Sequence, residues 1–145
     1  WTLRICWSGG MGGLEVIVLD THVLIWWVNG DAKLSKAAKE LIGRSHATVI
    51  FLSAISMWEI AMLVKEDRLK LRIDLNDWTK AVEDLAYLKI IPVDTDIAMK
   101  SVFLPEPIHK DPADRIIIAT TRKLGAKLVT ADRKILDYEF VTTVW

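Results

Sequence analysis

The sequence predicts an α/β fold of three layers, a mostly parallel central sheet with helices on both faces. Three observations carry this. Val16–Leu19 is a short unbroken apolar run of β-branched residues and Leu, and Thr48–Leu52 reads as a second such buried segment, the pattern of strands buried on both sides. Longer segments with capping residues at their starts and glycines or prolines at their ends lie between those runs, the pattern of crossover helices. The two kinds alternate along the chain, and strands joined through helices run parallel.

In order, Val16–Leu19 reads as a strand that ends at Asp20-Thr21. His22–Val28 follows as a helix closed by Asn29-Gly30. Ser35–Ile42 is a second helix, with Ser35 as its cap and Gly43 as its stop. Thr48–Leu52 is the second strand. Ser53–Val64 is a helix whose interior carries one charge, Glu59. Lys65–Arg72 is a basic link with alternating apolar residues. Asp74–Tyr87 reads as a helix, Leu88–Pro92 as a strand, and Thr95–Phe103 as a helix begun by Thr95 or Asp96. Leu104–Lys110 is a loop with two prolines. Asp111 then suits an N-cap, and Pro112 suits the first helical position, where no N–H is needed. Ile116, Ile117, Ile118 and Ala119 are too apolar for a surface helix, so this helix belongs in the core. Arg122 and Lys123 followed by Gly125 make a cationic C-terminus and stop. Lys127–Thr130 and Val141–Val144 are the last strands.

The chain has 145 residues, enough for one domain with a substantial core. Residues 14–145 are assigned to that domain. Residues 1–13, WTLRICWSGGMGG, have no period and carry four glycines; they are expected to be a disordered or expression-derived leader, with Met11 a candidate start. The apolar fraction of 52% and seven Trp predict either a very full core or an apolar surface kept for a partner. Nineteen basic residues balance nineteen acidic ones, so net charge argues neither for nor against nucleic acid. A single Cys excludes an intramolecular disulfide and a zinc thiolate cluster. No apolar run approaches the ~20 residues of a membrane span, and the expected location is the cytoplasm.

Ligands of such sheets bind outside the carboxyl ends of the strands, where the strand order reverses. Asp20 follows the first strand and Asp132 the fourth. Glu59 lies in the first turns of the helix after the second strand, and Asp114 in the first turn of the helix before the fourth. All four can reach one edge. Each has a bland role available. Asp20 can form an Asx-turn, Glu59 can close a capping box with Ser56, Asp114 can favour the helix dipole, and Asp132 can cap Arg133–Leu136. Asp111 is assigned to capping. Taken together the bland roles fail, because carboxylates crowded at a partly buried edge repel one another unless a cation sits there. Oxygen-only donors favour Mg²⁺ or Mn²⁺ over zinc, and such an ion suits phosphodiester hydrolysis.

Among the neighbours, Thr130 is the best candidate to orient a carboxylate, ahead of Thr21 and Ser53. Arg115, beside Asp114, is a candidate phosphate contact or an ion-pair partner of a site acid. His22 and His109 flank the acids and are expected to act as hydrogen-bonding residues. Lys65, Arg68, Lys70 and Arg72 are read first as a solvated face. Trp26, Trp27 and Trp58 are expected in the core or an interface.

Four segments carry a resemblance: LDTHVLIWW (Leu19–Trp27), SAISMWEIA (Ser53–Ala61), HKDPADRIIIAT (His109–Thr120) and LVTADRKI (Leu128–Ile135). In content and order they resemble the PIN-domain ribonucleases, and within these the VapC toxins of toxin–antitoxin pairs. An aromatic is frequent in the family where Ala113 stands, a packing change that leaves the acids in place. The resemblance implies a PIN-like fold and a Mg²⁺- or Mn²⁺-dependent endoribonuclease with Asp20, Glu59, Asp114 and Asp132 as its catalytic and metal-binding acids. It also implies RNA as substrate, a homodimer, and inhibition by a small VapB-like antitoxin. Two other readings compete: a catalytically inactive PIN-like interaction or regulatory module, and a receiver-like phosphoacceptor. The receiver usually needs an adjacent acidic pair after the first strand and a Lys after the last; Asp20-Thr21 and the chain's end supply neither.

Overall fold

The computed structural model describes residues 14–44 and 47–145, so the expected leader over residues 1–13 lies outside the described residues. The elements are β1 (Glu15–Leu19), α1 (Thr21–Asn29), α2 (Lys36–Gly43), β2 (Thr48–Ser53), α3 (Ala54–Lys65), α4 (Leu75–Glu83), β3 (Leu88–Ile91), α5 (Thr95–Val102), α6 (Pro112–Leu124), β4 (Lys127–Val129), α7 (Arg133–Leu136) and β5 (Thr143–Val144). The five strands form one sheet in the order β3-β2-β1-β4-β5, and every neighbouring pair is parallel.

The strands show why two layers of helix are needed. Along β1, Ile17 and Leu19 join one apolar cluster, while Val16 and Val18 join another. Successive side chains leave a strand on opposite faces, so β1, β2, β3 and β4 each feed both cores. The first cluster adds Ile50 and Leu52 of β2 and packs under α1, α2, α3 and α4 through Val23, Leu24, Ile42, Ile60 and Trp78. The second adds Phe51 and Leu128 and packs under α5 and α6 through Ile97, Ile117 and Ile118. Ile17, Leu19, Ile50, Leu52 and Ile117 are completely inaccessible. Each contributes on the order of 1.5–3 kcal/mol of burial, and a Leu52→Ala change would cost roughly 2–5 kcal/mol through its cavity.

Local chemistry sets the helix ends. Ser35, Ser53 and Asp111 cap α2, α3 and α6 with side-chain oxygens. Gly30 and Gly125 close α1 and α6 in the left-handed region, at φ 63° and 61°, where a Cβ would be strained. Several boundaries differ from the sequence reading, among them Gly43, which is the last residue of α2 with Arg44 as its C-cap rather than a stop beyond the helix. Asp94, rather than Thr95 or Asp96, caps α5: its backbone is extended and its carboxylate accepts the Ile97 N–H. The helix after Asp74 stops at Glu83, because turn hydrogen bonds at Leu85 and Leu88 redirect the chain so that Leu85 and Tyr87 pack on the core. β4 ends at Val129, one residue early, as the chain turns at Thr130 toward α7. β5 is correspondingly reduced to Thr143–Val144, since it pairs only with this short strand. Among the described residues no helix is long and apolar enough to cross a membrane.

Candidate active site

The strand order leaves β1 in one direction toward β2 and β3 and in the other toward β4 and β5. The reversal therefore lies between β1 and β4, and at their carboxyl ends stand Asp20 and the turn Thr130–Asp132. The Asp20 N–H donates to the Val129 carbonyl at 3.0 Å, which ties the two strand ends together.

Asp20 is 3% exposed. Its Oδ1 accepts the Thr21 N–H at 2.8 Å, and its Oδ2 accepts the Thr130 hydroxyl at 2.7 Å. The Asx-type role is real, but it uses one oxygen; the other is aimed across the reversal point by Thr130. The Thr130 oxygen in turn accepts the Asp132 N–H at 3.1 Å. Asp132 thus links to Asp20 through one hydroxyl, while its own carboxylate caps α7 by accepting the Lys134 N–H.

Glu59 projects from α3 and accepts the Thr21 hydroxyl at 2.6 Å. Ser56 Oγ lies 2.9 Å from the same Thr21 oxygen. Thr21 has one hydroxyl proton and the carboxylate can only accept, so Ser56 donates back to Thr21. The capping box between Ser56 and Glu59 is absent: Ser53 is the cap, and Ser56 is buried inside the helix. Burial raises the Glu59 pKa, the Thr21 hydrogen bond opposes this, and the charges of Asp20, Asp114 and Asp111 add to it.

Asp114 sits in the first turn of α6, where Asp111 Oδ1 accepts its N–H at 3.0 Å. Its Oδ2 is 2.7 Å from His109 Nε2. Burial lifts its pKa to about 6; the His109 hydrogen bond pulls it down, and the charges of Asp20 and Asp111 push it up. Three carboxylates, Asp20, Glu59 and Asp114, are thus electrostatically coupled, and Asp132 stands at their rim.

The other residues have definite places. Arg115 donates from Nε to the His109 carbonyl at 2.9 Å and lies 3.9 Å from Glu106. Of the two roles weighed for Arg115, the ion pair is made with Glu106 rather than with a site acid, and Arg115 fixes the loop that carries His109. His22 Nε2 accepts the Ala131 N–H at 3.0 Å. Its Nδ1 must then carry the proton, and it faces Asp20 Oδ2 at 3.5 Å. Trp26 packs between His22, edge-on, and Trp145, tilted, Trp27 packs on the core, and Trp58 is 57% exposed. The Ser56–Thr21–Glu59 chain is the feature the sequence concealed. A small residue inside an apolar helix gives no signal when its partner is 35 positions away.

The donor set fits a hard divalent cation in its chemistry. The three coupled acids are oxygen donors, and their charge is met by hydroxyls, amides and histidines; no Lys or Arg pairs with them among the described residues. The acids do not close into a cage, since no group of three or more metal-binding side chains stands within ligating range among the described residues.

A model of the PIN domain matches residues 17–141. The chain is 33% identical over 134 residues to Ribonuclease VapC22 of Mycobacterium tuberculosis, covering 91% of this chain and all of that protein. Two solved structures share the fold. VapBC2 from Rickettsia felis, bound to a DNA fragment from its promoter, superposes with a TM-score of 0.65 at 17% identity, over 90% of this chain and 98% of that one. A toxin–antitoxin complex from Klebsiella pneumoniae superposes with a TM-score of 0.61 at 22% identity, over 89% and 96%. With its parallel sheet, its acids at the reversal point and this coverage, the chain belongs to the PIN-domain family.

Proposed function

We propose that the chain is the toxin of a toxin–antitoxin pair, an endoribonuclease that hydrolyses RNA phosphodiester bonds at this carboxylate edge. One observation carries the reading: Asp20, Glu59 and Asp114 share a partly buried edge with no Lys or Arg paired to them among the described residues, in a chain related along its length to a ribonuclease. The alternative of an inactive interaction module is not favoured, because every acid of the site is present.

Asp20, Glu59, Asp114 and Asp132 would hold Mg²⁺ or Mn²⁺. A divalent cation supplies Lewis-acid polarisation of the phosphodiester and a more acidic water. The chain's own residues supply position. Thr130 keeps Asp20 aimed outward, Thr21 and Ser56 fix the rotamer of Glu59, and Arg115 holds the His109 loop so that the imidazole stays on Asp114. Single-stranded or looped RNA suits an open edge, since A-form helices hide their base edges.

The partner reading follows from chemistry. A small VapB-like antitoxin would cover the acidic edge and present a cation to it, with Arg the best match to paired carboxylate oxygens. Met99, Val102 and Phe103 on and after α5 are 58%, 62% and 78% exposed. An apolar patch of this kind supports a two-fold homodimer. The cytoplasm is the compartment in which RNA and such a partner meet.

The test is cleavage of a labelled single-stranded RNA by purified protein in millimolar Mg²⁺ or Mn²⁺, and again in EDTA. Cutting with metal and none in EDTA is expected. No cutting of any RNA under the first condition, or undiminished cutting under the second, would sink the reading.

A further inference from the structure

A cavity of about 270 Å³ lies beside the acids, lined by Pro107, Ile108, His109, Lys134, Asp137 and Tyr138. Its volume falls just under the ~300 Å³ at which small-molecule sites begin, which leaves room for one planar group. Two hydrogen bonds join it to the site. His109, in its wall, is bonded to Asp114 at 2.7 Å. Lys134, also in the lining, has its backbone N–H capped by Asp132 at 2.9 Å.

The walls are held in place. Tyr138 is 6% exposed and its hydroxyl donates to the Pro105 carbonyl at 2.8 Å. The Ile108 N–H donates to Glu106, and Arg115 holds the His109 carbonyl. The lining thus combines an apolar surface from Pro107, Ile108 and the Tyr138 ring, one cation, and one carboxylate. Among the described residues, Asp137 pairs only with Arg133, at 3.9 Å with both side chains largely exposed; such a contact is weak, so the carboxylate is open to accept.

Unpaired bases are recognised by an apolar or aromatic surface under the ring and hydrogen bonds on the Watson–Crick edge. Guanine offers a carboxylate two adjacent N–H donors, N1–H and the exocyclic amine, whereas adenine, cytosine and uracil offer only one such group each. The positive Lys134 matches a phosphate. We infer that this cavity is a base-recognition subsite, in which Asp137 accepts from a guanine flanking the scissile phosphate and Lys134 contacts the adjoining phosphate. The inference rests on the endoribonuclease reading above and deepens it.

Two experiments test it. In the first, wild type, Asp137→Asn and Lys134→Ala cut a random single-stranded RNA pool, and fragment ends are sequenced. Wild type should enrich guanine at one position beside the cut, and Asp137→Asn should lower that enrichment roughly tenfold, the scale of one good bidentate contact. Lys134→Ala should raise KM and flatten the salt dependence with kcat little changed. In the second, Asp114→Asn, silenced for cleavage, binds short labelled oligonucleotides containing guanine or inosine, which lacks the exocyclic amine. Inosine should bind several-fold more weakly, and adding Asp137→Asn should abolish the difference.

If wild type cuts RNA with no base preference beside the cut, or if Asp137→Asn keeps the preference, the subsite is overturned while the nuclease reading stands. Equal binding of guanine and inosine oligonucleotides would overturn it as well. If wild type cuts nothing, the nuclease reading falls; the inosine comparison still decides whether the cavity reads a base.

Discussion

Thr130 donates its hydroxyl to Asp20 Oδ2 at 2.7 Å, across 110 positions of chain and across the point where the strand order reverses. Both residues are buried. This bond makes the ends of β1 and β4 one unit, and it determines which Asp20 oxygen stays aimed at the site.

Thr130→Val should therefore damage both stability and catalysis. It leaves a buried carboxylate oxygen and the Asp132 N–H without their partner, at a cost of roughly 1–3 kcal/mol. RNA cleavage should fall by at least tenfold with KM less affected, since the acid is misdirected rather than lost. Thr130→Ser keeps the hydroxyl and should restore most of both. Thermal melts and initial rates on one RNA check this; a Thr130→Val enzyme with wild-type kcat would show that the bond is only structural.

The acids should behave as a unit. Asp20→Asn, Glu59→Gln, Asp114→Asn and Asp132→Asn should each lower cleavage by orders of magnitude with the fold intact, and a double variant should be little worse than its weaker parent. Asp111→Asn should retain most activity, because its carboxylate caps the Asp114 N–H and Asn caps nearly as well. An inactive Asp111→Asn beside an active Asp114→Asn would reverse the roles assigned within this segment. Circular dichroism on each variant separates loss of function from loss of fold.

Stability without metal should fall as pH rises. The Asp114 carboxyl titrates near 6 in the folded chain against its ordinary 3.8. The folded state thus holds the proton more tightly, and the contribution is complete below about pH 4 and lost as pH climbs through 6. A shift of about two pH units corresponds to at most about 3 kcal/mol, and Glu59 shifts in the same direction. Asp114→Asn removes the charge, so in EDTA at pH 7.5 it should melt at least as high as wild type. Mg²⁺ or Mn²⁺ should then raise the wild-type midpoint and move the variant's much less. Melts in EDTA at pH 5 and 7.5 test the sign; a variant clearly less stable than wild type at pH 7.5 would make Asp114 chiefly a helix-capping residue.

The same shift governs metal affinity. An ion must displace whatever protons the edge holds, so binding should weaken as pH falls through about 6. Calorimetric titration with Mn²⁺ at pH 5.5 and 7.5 should show weaker binding and more protons released at the lower pH. Affinity unchanged between the two would mean that Asp114 does not take part in holding the ion.

Mass should report the homodimer. Light scattering at micromolar concentration should give twice the 16.4 kDa chain, and Phe103→Glu, placed on the most exposed large apolar side chain among the described residues, should shift the population toward monomer. A wild type that stays at the single-chain mass would leave the α5 patch free for the antitoxin instead.

Periodicity and capping, both local, made most of the fold legible. Apolar runs marked β1 and β2 as buried on both faces, and Asp111-Pro112 with Gly125 marked both ends of α6. As candidates the acids were visible too: Asp20 and Asp132 stand at helix caps, Asp114 in the first turn of α6, and Glu59 as a lone charge inside an apolar helix. Local sequence was a poorer guide where two signals overlapped, as at Asp94, Thr95 and Asp96, or where tertiary packing cut an element short, as at Glu83. What only the tertiary structure decided is who meets whom. Arg115 could be placed beside Asp114 in sequence, yet its guanidinium goes to His109 and Glu106. Glu59 could be a capping residue, yet it takes its hydrogen bond from Thr21, 38 positions earlier. Local sequence determines which backbone hydrogen bonds form within a segment. Contacts between segments depend on how the sheet order folds their ends together, and no spacing along the chain encodes that.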